Sequence, residues 1–331
     1  MEYRNFGATG LRVSEVGFGA WAIGGSANVG GNQIGWGPVD DQVSIRAIHA
    51  ALDAGINFFD TADFYGLGHS EKIIGQTIGH NREVLIATKV GQRAGDNGSL
   101  EVNYSKDYII KACEASLCRL RREVIDYYQL HVAKLHHLEQ GECIEAMGLL
   151  QQQGKIRFWG QSLFTFAPEV EANYLMNIGQ GNGFQMVLNL INQMALPVMQ
   201  QAYARGYGII ARMPLQFGLL SGKFRPADRF HHDDHRSKRL TESIIRDTLD
   251  ILRTEMVPMA KQYHTTLAGL ALSFVLGFKE VGTVIPGIRT PEQVAMNTGR
   301  LVKLSSGDHA HLASLYQSRW QPVLEMIKLQ G

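Results

Sequence analysis

Four side chains in this sequence could together move a proton onto a newly reduced carbonyl oxygen: Asp60, Tyr65, Lys89 and His131. Adding hydride to a carbonyl carbon leaves an alkoxide that needs a proton. A tyrosine phenol has a pKa of about 10, too high for easy donation at neutral pH. An ammonium about 4–6 Å away favours phenolate and lowers that pKa by roughly 1–3 units. The ammonium is itself costly to bury unless a carboxylate pairs with it. Tyr65, Lys89 and Asp60 fit these three parts, and the His131 imidazole can hydrogen-bond the substrate oxygen and fix its position. Singly, none of the four carries this reading, since a strand-end aspartate is commonly a turn cap and a lone lysine commonly lies along the surface. Their joint placement does.

That placement needs a scaffold that gathers several strand ends. Short apolar runs predict strands at Glu15–Ala20, Ile56–Thr61, Val84–Val90, Val124–His131, Ile156–Ser162, Phe184–Leu190, Tyr207–Pro214 and Gly282–Pro286. Asp60 closes the second with Tyr65 five residues on, Lys89 closes the third, and His131 the fourth. Helical periodicity fills the gaps. Ile45, Ile48 and Leu52 share a face after a cap at Asp40 or Asp41, and Gly55 stops that helix. Further helices are predicted over Ser70–Ile78, Ser105–Arg121, Gly141–Gln153, Pro168–Ile178 and Pro197–Arg205, then Thr241–Tyr263, Leu267–Gly277, Pro291–Thr298 and Ser306–Arg319. Such alternation predicts an α/β fold, a (β/α)8 TIM barrel whose active site sits at the C-terminal ends of the strands. Residues 1–14 predict a β-hairpin turning at Gly7-Ala8-Thr9-Gly10, suited to covering the barrel bottom. No linker or composition break divides the sequence, so residues 1–331 are read as one domain. Two stretches are irregular: Gly24–Gly37, which contains Trp36, and Gly218–Lys238, rich in His, Asp and Arg. Long loops of this kind are often lids or binding segments.

Bulk properties exclude several alternatives. Hydrophobic content of 45% and charged content of 19% are ordinary for a globular enzyme. A net charge of +1 gives no electrostatic footprint for nucleic acid. No run approaches the roughly 18 apolar residues of a membrane span, and Met1-Glu2-Tyr3-Arg4-Asn5-Phe6 lacks the apolar core of a signal peptide. Cys113, Cys118 and Cys143 are odd in number and lack metal-ligand spacing, so they are read as reduced thiols of a cytoplasmic protein. The run His231-His232-Asp233-Asp234-His235 is read as part of a solvated loop rather than a metal site, and no metal is expected.

Longer motifs join these residues. Phe59-Asp60-Thr61-Ala62 is followed by Tyr65-Gly66 and Ser70-Glu71, then by Ala87-Thr88-Lys89 and by Asp126-Tyr127-Tyr128-Gln129-Leu130-His131. Gly154-Lys155-Ile156-Arg157 leads to Gly160-Gln161-Ser162, and Pro214-Leu215 to Gly218-Leu219-Leu220-Ser221-Gly222-Lys223. Near the end stands Ile285-Pro286-Gly287-Ile288-Arg289-Thr290-Pro291-Glu292-Gln293. In this order and spacing the sequence resembles the aldo-keto reductase family over nearly its whole length, with a bacterial, inositol- or sugar-linked branch the most similar. The resemblance implies a catalytic tetrad of Asp60, Tyr65, Lys89 and His131, with Trp21, Tyr65 and His131 around a small carbonyl or alcohol substrate. It also implies NADP(H), held without the Gly-rich turn of a Rossmann fold. Gly19, Ala20, Trp21 and Asp60 would line the nicotinamide end, and Ser162 and Gln185 would hold the carboxamide. Arg212, Met213, Pro214, Leu215 and Gly218 would run along the nicotinamide and pyrophosphate, with Lys223 on phosphate. Gly287, Arg289, Gln293 and Asn297 would hold the adenosine part, Arg289 suiting a 2′-phosphate through its planar fork. The sequence departs from the family pattern at Leu163, where asparagine is usual after Ser162. It departs again at Arg212 in place of an aromatic residue, at Val132-Ala133-Lys134 after His131, and at Met296 in place of an acid.

Two other readings stand beside this one. Potassium-channel β subunits look like the same family, which allows a redox-sensing, weakly catalytic binding subunit. A metal-dependent barrel hydrolase would show His-x-His at a strand end, and the predicted strands carry none. Substrate identity and oligomeric state are not encoded in any motif found.

Overall fold

A computed structural model describes residues 1–95, 97–231 and 234–330. Eight parallel strands form one sheet, each hydrogen-bonded to its neighbours in chain order. They are β1 (Phe18–Gly19), β2 (Phe58–Asp60), β3 (Leu85–Val90), β4 (Ile125–His131), β5 (Ile156–Ser162), β6 (Gly183–Val187), β7 (Gly208–Arg212) and β8 (Thr283–Ile285). All eight predicted strands are present. The sixth and seventh end earlier than predicted, because Asn189 folds its side chain back onto the amides of Ile191 and Asn192, and Met213 turns to a positive φ of 55°.

The ring closes between β1 and β8. Gly17 N–H donates to Val284 O at 2.8 Å, Gly19 N–H to Pro286 O at 3.1 Å, and Ile288 N–H to Gly19 O at 3.1 Å. This seam is narrow enough to require glycine: a Cβ on Gly19 would lie 2.6 Å from the Pro286 carbonyl oxygen. The β/α repeat and parallel register make this the predicted (β/α)8 TIM barrel.

The N-terminal hairpin pairs Tyr3–Asn5 with Arg12–Ser14 and caps the bottom. It drives Phe6 into the barrel floor, edge-on to Tyr127 at 5.0 Å between ring centres. Phe58, Leu85, Ala87, Ile210 and Ile285 complete this inner apolar layer. A Cβ on Gly208 would sit 2.6 Å from the Phe6 ring, so the start of β7 must be bare. A second, larger apolar layer lies between the strands and the surrounding helices.

The helices follow their local chemistry. Asp40 caps Asp41–Asp53 by accepting from Gln42 N–H at 2.8 Å, and Thr290 with Gln293 forms a capping box on Pro291–Thr298. The predicted helix from Thr241 to Tyr263 runs as Glu242–Ile251, a π segment at Leu252–Met256, and Val257–Gln262. The last helix behaves alike: Ser306–Leu315, a π segment at Tyr316–Trp320, then Gln321–Lys328. Each π segment directly precedes a proline-containing turn, Pro258 or Pro322. Proline offers no amide and its ring crowds the carbonyl four residues back, and a widened turn absorbs both faults without ending the helix. The last helix, predicted to end at Arg319, therefore continues to Lys328.

The irregular stretches contain unexpected small elements. Gly24–Gly37 holds a hairpin, Ala27–Val29 with Asn32–Ile34, just after a 3-10 turn at Ala20–Ile23. Another hairpin pairs Gln92–Ala94 with Leu100–Val102, and a short helix spans Leu135–Gln140. His232 and Asp233 of the predicted histidine–aspartate run lie outside the described residues. Among the described residues no helix is long and apolar enough to cross a membrane.

Candidate active site

Strand parity places the ionisable groups. Residues two apart on a strand share a face, so Phe58 and Asp60 on β2, Ala87 and Lys89 on β3, and Tyr127, Gln129 and His131 on β4 form three inward columns. Register aligns them, with Ala87 opposite both Asp60 and Tyr127, and Lys89 opposite Gln129. The apolar floor therefore gives way to a polar layer one inward step up each strand.

Lys89 is fully buried in that layer. Its Nζ donates to Asp60 Oδ2 at 2.6 Å, to Thr61 O at 2.8 Å and to Tyr65 Oη at 3.0 Å. An ammonium has three protons, and each here has an acceptor. Burial works against the Lys89 charge, but Asp60 and then Tyr65 outweigh it and hold its pKa above the ordinary lysine value. Tyr65 lies on the turn after β2, with Trp21 edge-on at 4.8 Å and His131 at 6.0 Å between ring centres. Burial raises the Tyr65 phenol above its ordinary value, and Lys89 is the largest influence in the opposite direction. The phenol is thus protonated at neutral pH. His131 is held well below the usual imidazole value by burial, then by Lys89 and Arg212, so its ring is neutral. The three side chains and Asp60 that the sequence singled out do meet, on one face of the barrel.

Above them opens a cleft of about 390 Å3. Gly19, Ala20 and Trp21 line it with Asp60, Tyr65, His131, Ser162 and Gln185. Arg212, Met213, Pro214, Leu215, Gly218 and Lys223 line it too, as do Gly287, Gln293 and Asn297. Part of this wall is backbone under strain: Met213, Gln216 and Phe217 all have positive φ, at 55°, 43° and 56°.

Two predicted contacts are placed differently. Arg289 is not part of the cleft wall; its Nη1 donates to Trp36 O at 3.4 Å. Gln293 has its Oε1 committed to the Arg289 amide at 2.6 Å and to the Thr290 amide at 3.3 Å, as a helix cap. The departures from the family pattern also have a structure. Leu163 brings no polar side chain, and Arg212 reaches across so that its Nη2 donates to Leu163 O at 3.1 Å and to Thr165 Oγ1 at 3.0 Å.

The two irregular loops, read from the sequence as lid or binding segments, pair in a way the sequence did not show, as the cover of the cleft. Trp36 lines it, bridging in antiparallel fashion to Asp234, so the two irregular loops meet over the opening. Asp234 holds Arg236 through two oxygens, at 3.0 Å to Nε and 2.6 Å to Nη2, and the guanidinium lies 5.4 Å from the Trp36 ring centre. His235 follows, its imidazole pushed down to about 4 by burial and by Arg239. Arg239, Phe217, Phe224 and, from the last helix, Ile327 complete the cover. The one sequence signal was Trp36, a lone large aromatic in a glycine-rich loop.

The lining fits an extended, anionic, ring-bearing ligand. Arg212, Lys223, Arg236 and Arg239 face the space, and Asp60 is the one carboxylate among the described lining residues. Asp60 is neutralised by Lys89, and Arg236 by Asp234. A net positive wall interleaved with Trp21, Trp36 and Phe217 accommodates phosphates and flat rings together.

Known proteins give the same frame. The chain is 31% identical over 302 residues to the aldo-keto reductase YhdN of Bacillus subtilis, covering 89% of this chain and 87% of that protein. It is 28% identical over 317 residues to a probable voltage-gated potassium channel subunit beta of Oryza sativa, covering 90% of each. Among solved structures, the glycerol dehydrogenase of Gluconobacter oxydans superposes with a TM-score of 0.82 at 28% identity, over 96% of each chain. The family model described as the aldo/keto reductase family matches residues 15–317. With that match across the barrel, the chain belongs to the aldo/keto reductase family.

Proposed function

We propose that this protein reduces an aldehyde or ketone to the alcohol with NADPH, and runs the reverse oxidation with NADP+, using Tyr65 as the general acid and base. Family membership supports an NAD(P)-dependent oxidoreductase acting between carbonyls and alcohols. The observation that carries the finer reading is the saturated Lys89 ammonium, with Asp60 and Thr61 behind it and the Tyr65 oxygen in front.

NADPH, when bound, supplies the hydride. Ser162 and Gln185 would hold its carboxamide, with Arg212 the added donor where Leu163 offers none. Gly19, Ala20 and Trp21 would flank the nicotinamide, and Met213, Pro214, Leu215 and Gly218 would line the path to Lys223, which would meet phosphate. Gly287, Gln293 and Asn297 line the cleft and would take the adenosine part, while Arg289, outside the cleft wall, would have to leave the Trp36 carbonyl to meet a 2′-phosphate.

Lys89 donates to the phenol oxygen, so the phenol proton is directed away from the lysine and towards the cleft. Tyr65 gives that proton to the alkoxide as it forms. The conjugate phenolate is stabilised by the ammonium 3.0 Å away, which Asp60 holds in place. His131, neutral and beside Tyr65, orients the substrate oxygen rather than supplying its proton. The channel-type binding subunit is not favoured, because the four groups meet as a working acid would require and the matched bacterial proteins are named as reductases and dehydrogenases.

The test is the loss of nicotinamide absorbance with NADPH and a panel of small aldehydes and ketones. Tyr65→Phe should lower the rate by roughly 10²–10⁴-fold while NADPH still binds, read by fluorescence titration. Full activity in that variant would remove Tyr65 from the proton step.

A further inference from the structure

We infer that Gln129 is a positioning residue for this reaction, one that holds the Asp60 carboxylate and so sets how strongly the Asp60–Lys89 pair acts on the Tyr65 phenol. The inference rests on the reading of Tyr65 as the acid.

Gln129 is fully buried on β4, one inward step below His131 and level with Lys89 on β3. Its Nε2 donates to Asp60 Oδ1 at 3.1 Å, and Gln185 Nε2 donates to the same oxygen at 2.7 Å. Gln185 Nε2 also reaches Gln129 Oε1 at 3.2 Å. The orientation of both amides is dictated by chemistry: an ionised carboxylate only accepts, so each must present its nitrogen to Asp60. Asp60 is thereby divided, with Oδ2 on the ammonium and Oδ1 on two amides. Neither amide carries charge, yet each N–H dipole offsets part of the negative field that Asp60 projects upward.

That field matters because Asp60 and Lys89 pull the phenol in opposite directions. The ammonium favours phenolate and the carboxylate opposes it. Other charged and titratable groups around the pair are Arg212 from β7, His131 and Tyr127 from β4, and Asp63 after β2. None of them hydrogen-bonds Asp60 in the described structure, whereas Gln129 does. Removing its donor while keeping its bulk leaves the Asp60 charge less compensated, and the phenol then holds its proton to higher pH.

The experiment compares pH profiles of NADPH-dependent carbonyl reduction for the wild type, Gln129→Met and Gln129→Leu. Both substitutions retain side-chain bulk and lack the donor. The expected result is that the alkaline limb moves up by about 0.5–1 unit, with circular dichroism unchanged. A limb that stays in place in a folded variant, whatever the rate, overturns the assignment, since a purely structural role lowers activity without moving a titration. A second readout needs no turnover: ultraviolet difference titration of Tyr65 ionisation against a Tyr65→Phe blank, with and without Gln129→Met. It should show the same upward shift. Absence of reductase activity in the wild type would count against the reductase reading, while this titration still decides the role of Gln129. Failure of both variants to fold would mark the residue as structural and overturn the inference.

Discussion

The floor and the mouth of this barrel are built from the same strands, one inward step apart, and are opposite in chemistry. Phe58, Ala87 and Tyr127 belong to the floor, and Asp60, Lys89 and Gln129 stand next above them on β2, β3 and β4. Two residues along a strand is roughly 7 Å. Within that distance the interior changes from packed rings around Phe6 to an ion pair with amides, and both layers are almost completely buried. Burial alone therefore says nothing about role. The floor is satisfied by shape, so its residues contribute to stability in proportion to the volume they fill. The mouth is satisfied only by direction, with each donor aimed at an acceptor, and its groups are useful because they remain charged where water is excluded.

The sharpest way to break this contrast is Lys89→Met. It leaves the Asp60 carboxylate buried without its cation, and should cost about 3–5 kcal/mol of stability as well as abolishing measurable reduction. Denaturant unfolding and the NADPH assay read the two losses. If the variant keeps wild-type stability, the mouth is not held by the ion pair and the contrast fails. Phe6→Ala attacks the floor instead. It should cost about 3–5 kcal/mol but leave the rate per folded molecule unchanged at low temperature. A selective fall in kcat would show that floor and mouth are coupled.

The smallest expected effect concerns an acid that belongs to neither layer. Asp63 has a shielded Oδ1 with no hydrogen-bond partner among the described residues. Burial, then Glu71, raise its pKa well above the ordinary carboxylate value, so the folded state binds its proton more tightly than the unfolded chain does. Its contribution is then fully present at pH below the unfolded value and is lost as pH rises through the raised one. Asp63→Asn should accordingly be more stable than wild type by about 1–2 kcal/mol at neutral pH, with the gap closing below about pH 4. Thermal unfolding across that range checks it. A variant less stable than wild type at neutral pH would show that the Asp63 charge is compensated.

The sequence shows the contrast between floor and mouth clearly, because it is carried by parity within short strands. Phe58 to Asp60 and Tyr127 to His131 display it residue by residue. The same parity directs Gln129 inward, but the sequence reading passed over it, because an amide between apolar residues attracts no notice until a carboxylate is seen beside it. Both loops were read as lid or binding segments, but their pairing was not legible, for a different reason. Trp36 and Asp234 come from loops far apart in the sequence, and neither loop has a periodicity that would announce the meeting. The final helix was read only as far as Arg319, three residues before Pro322, whose local meaning is a stop. Here the π segment at Tyr316–Trp320 carries the helix past Pro322 and brings Ile327 to the cleft. Arg289 and Gln293 were assigned by analogy, whereas capping and the Trp36 carbonyl occupy the groups concerned.

The N-terminal plug has a consequence for biosynthesis. Arg4 donates to the carbonyl oxygens of Leu276 and Val281, the latter 277 residues further along the chain. Phe6 fits against Gly208, well past the midpoint of the chain. At ribosomal rates of about 5–20 residues per second, the interval between Arg4 and Val281 is roughly 14–55 s. Throughout that time this hairpin segment has no completed seat, and an aromatic side chain waits in the open for the last turn of the ring. Chaperone demand during translation should therefore concentrate on the hairpin, and a bulky group fused at Met1 should impede maturation more than one placed after Lys328.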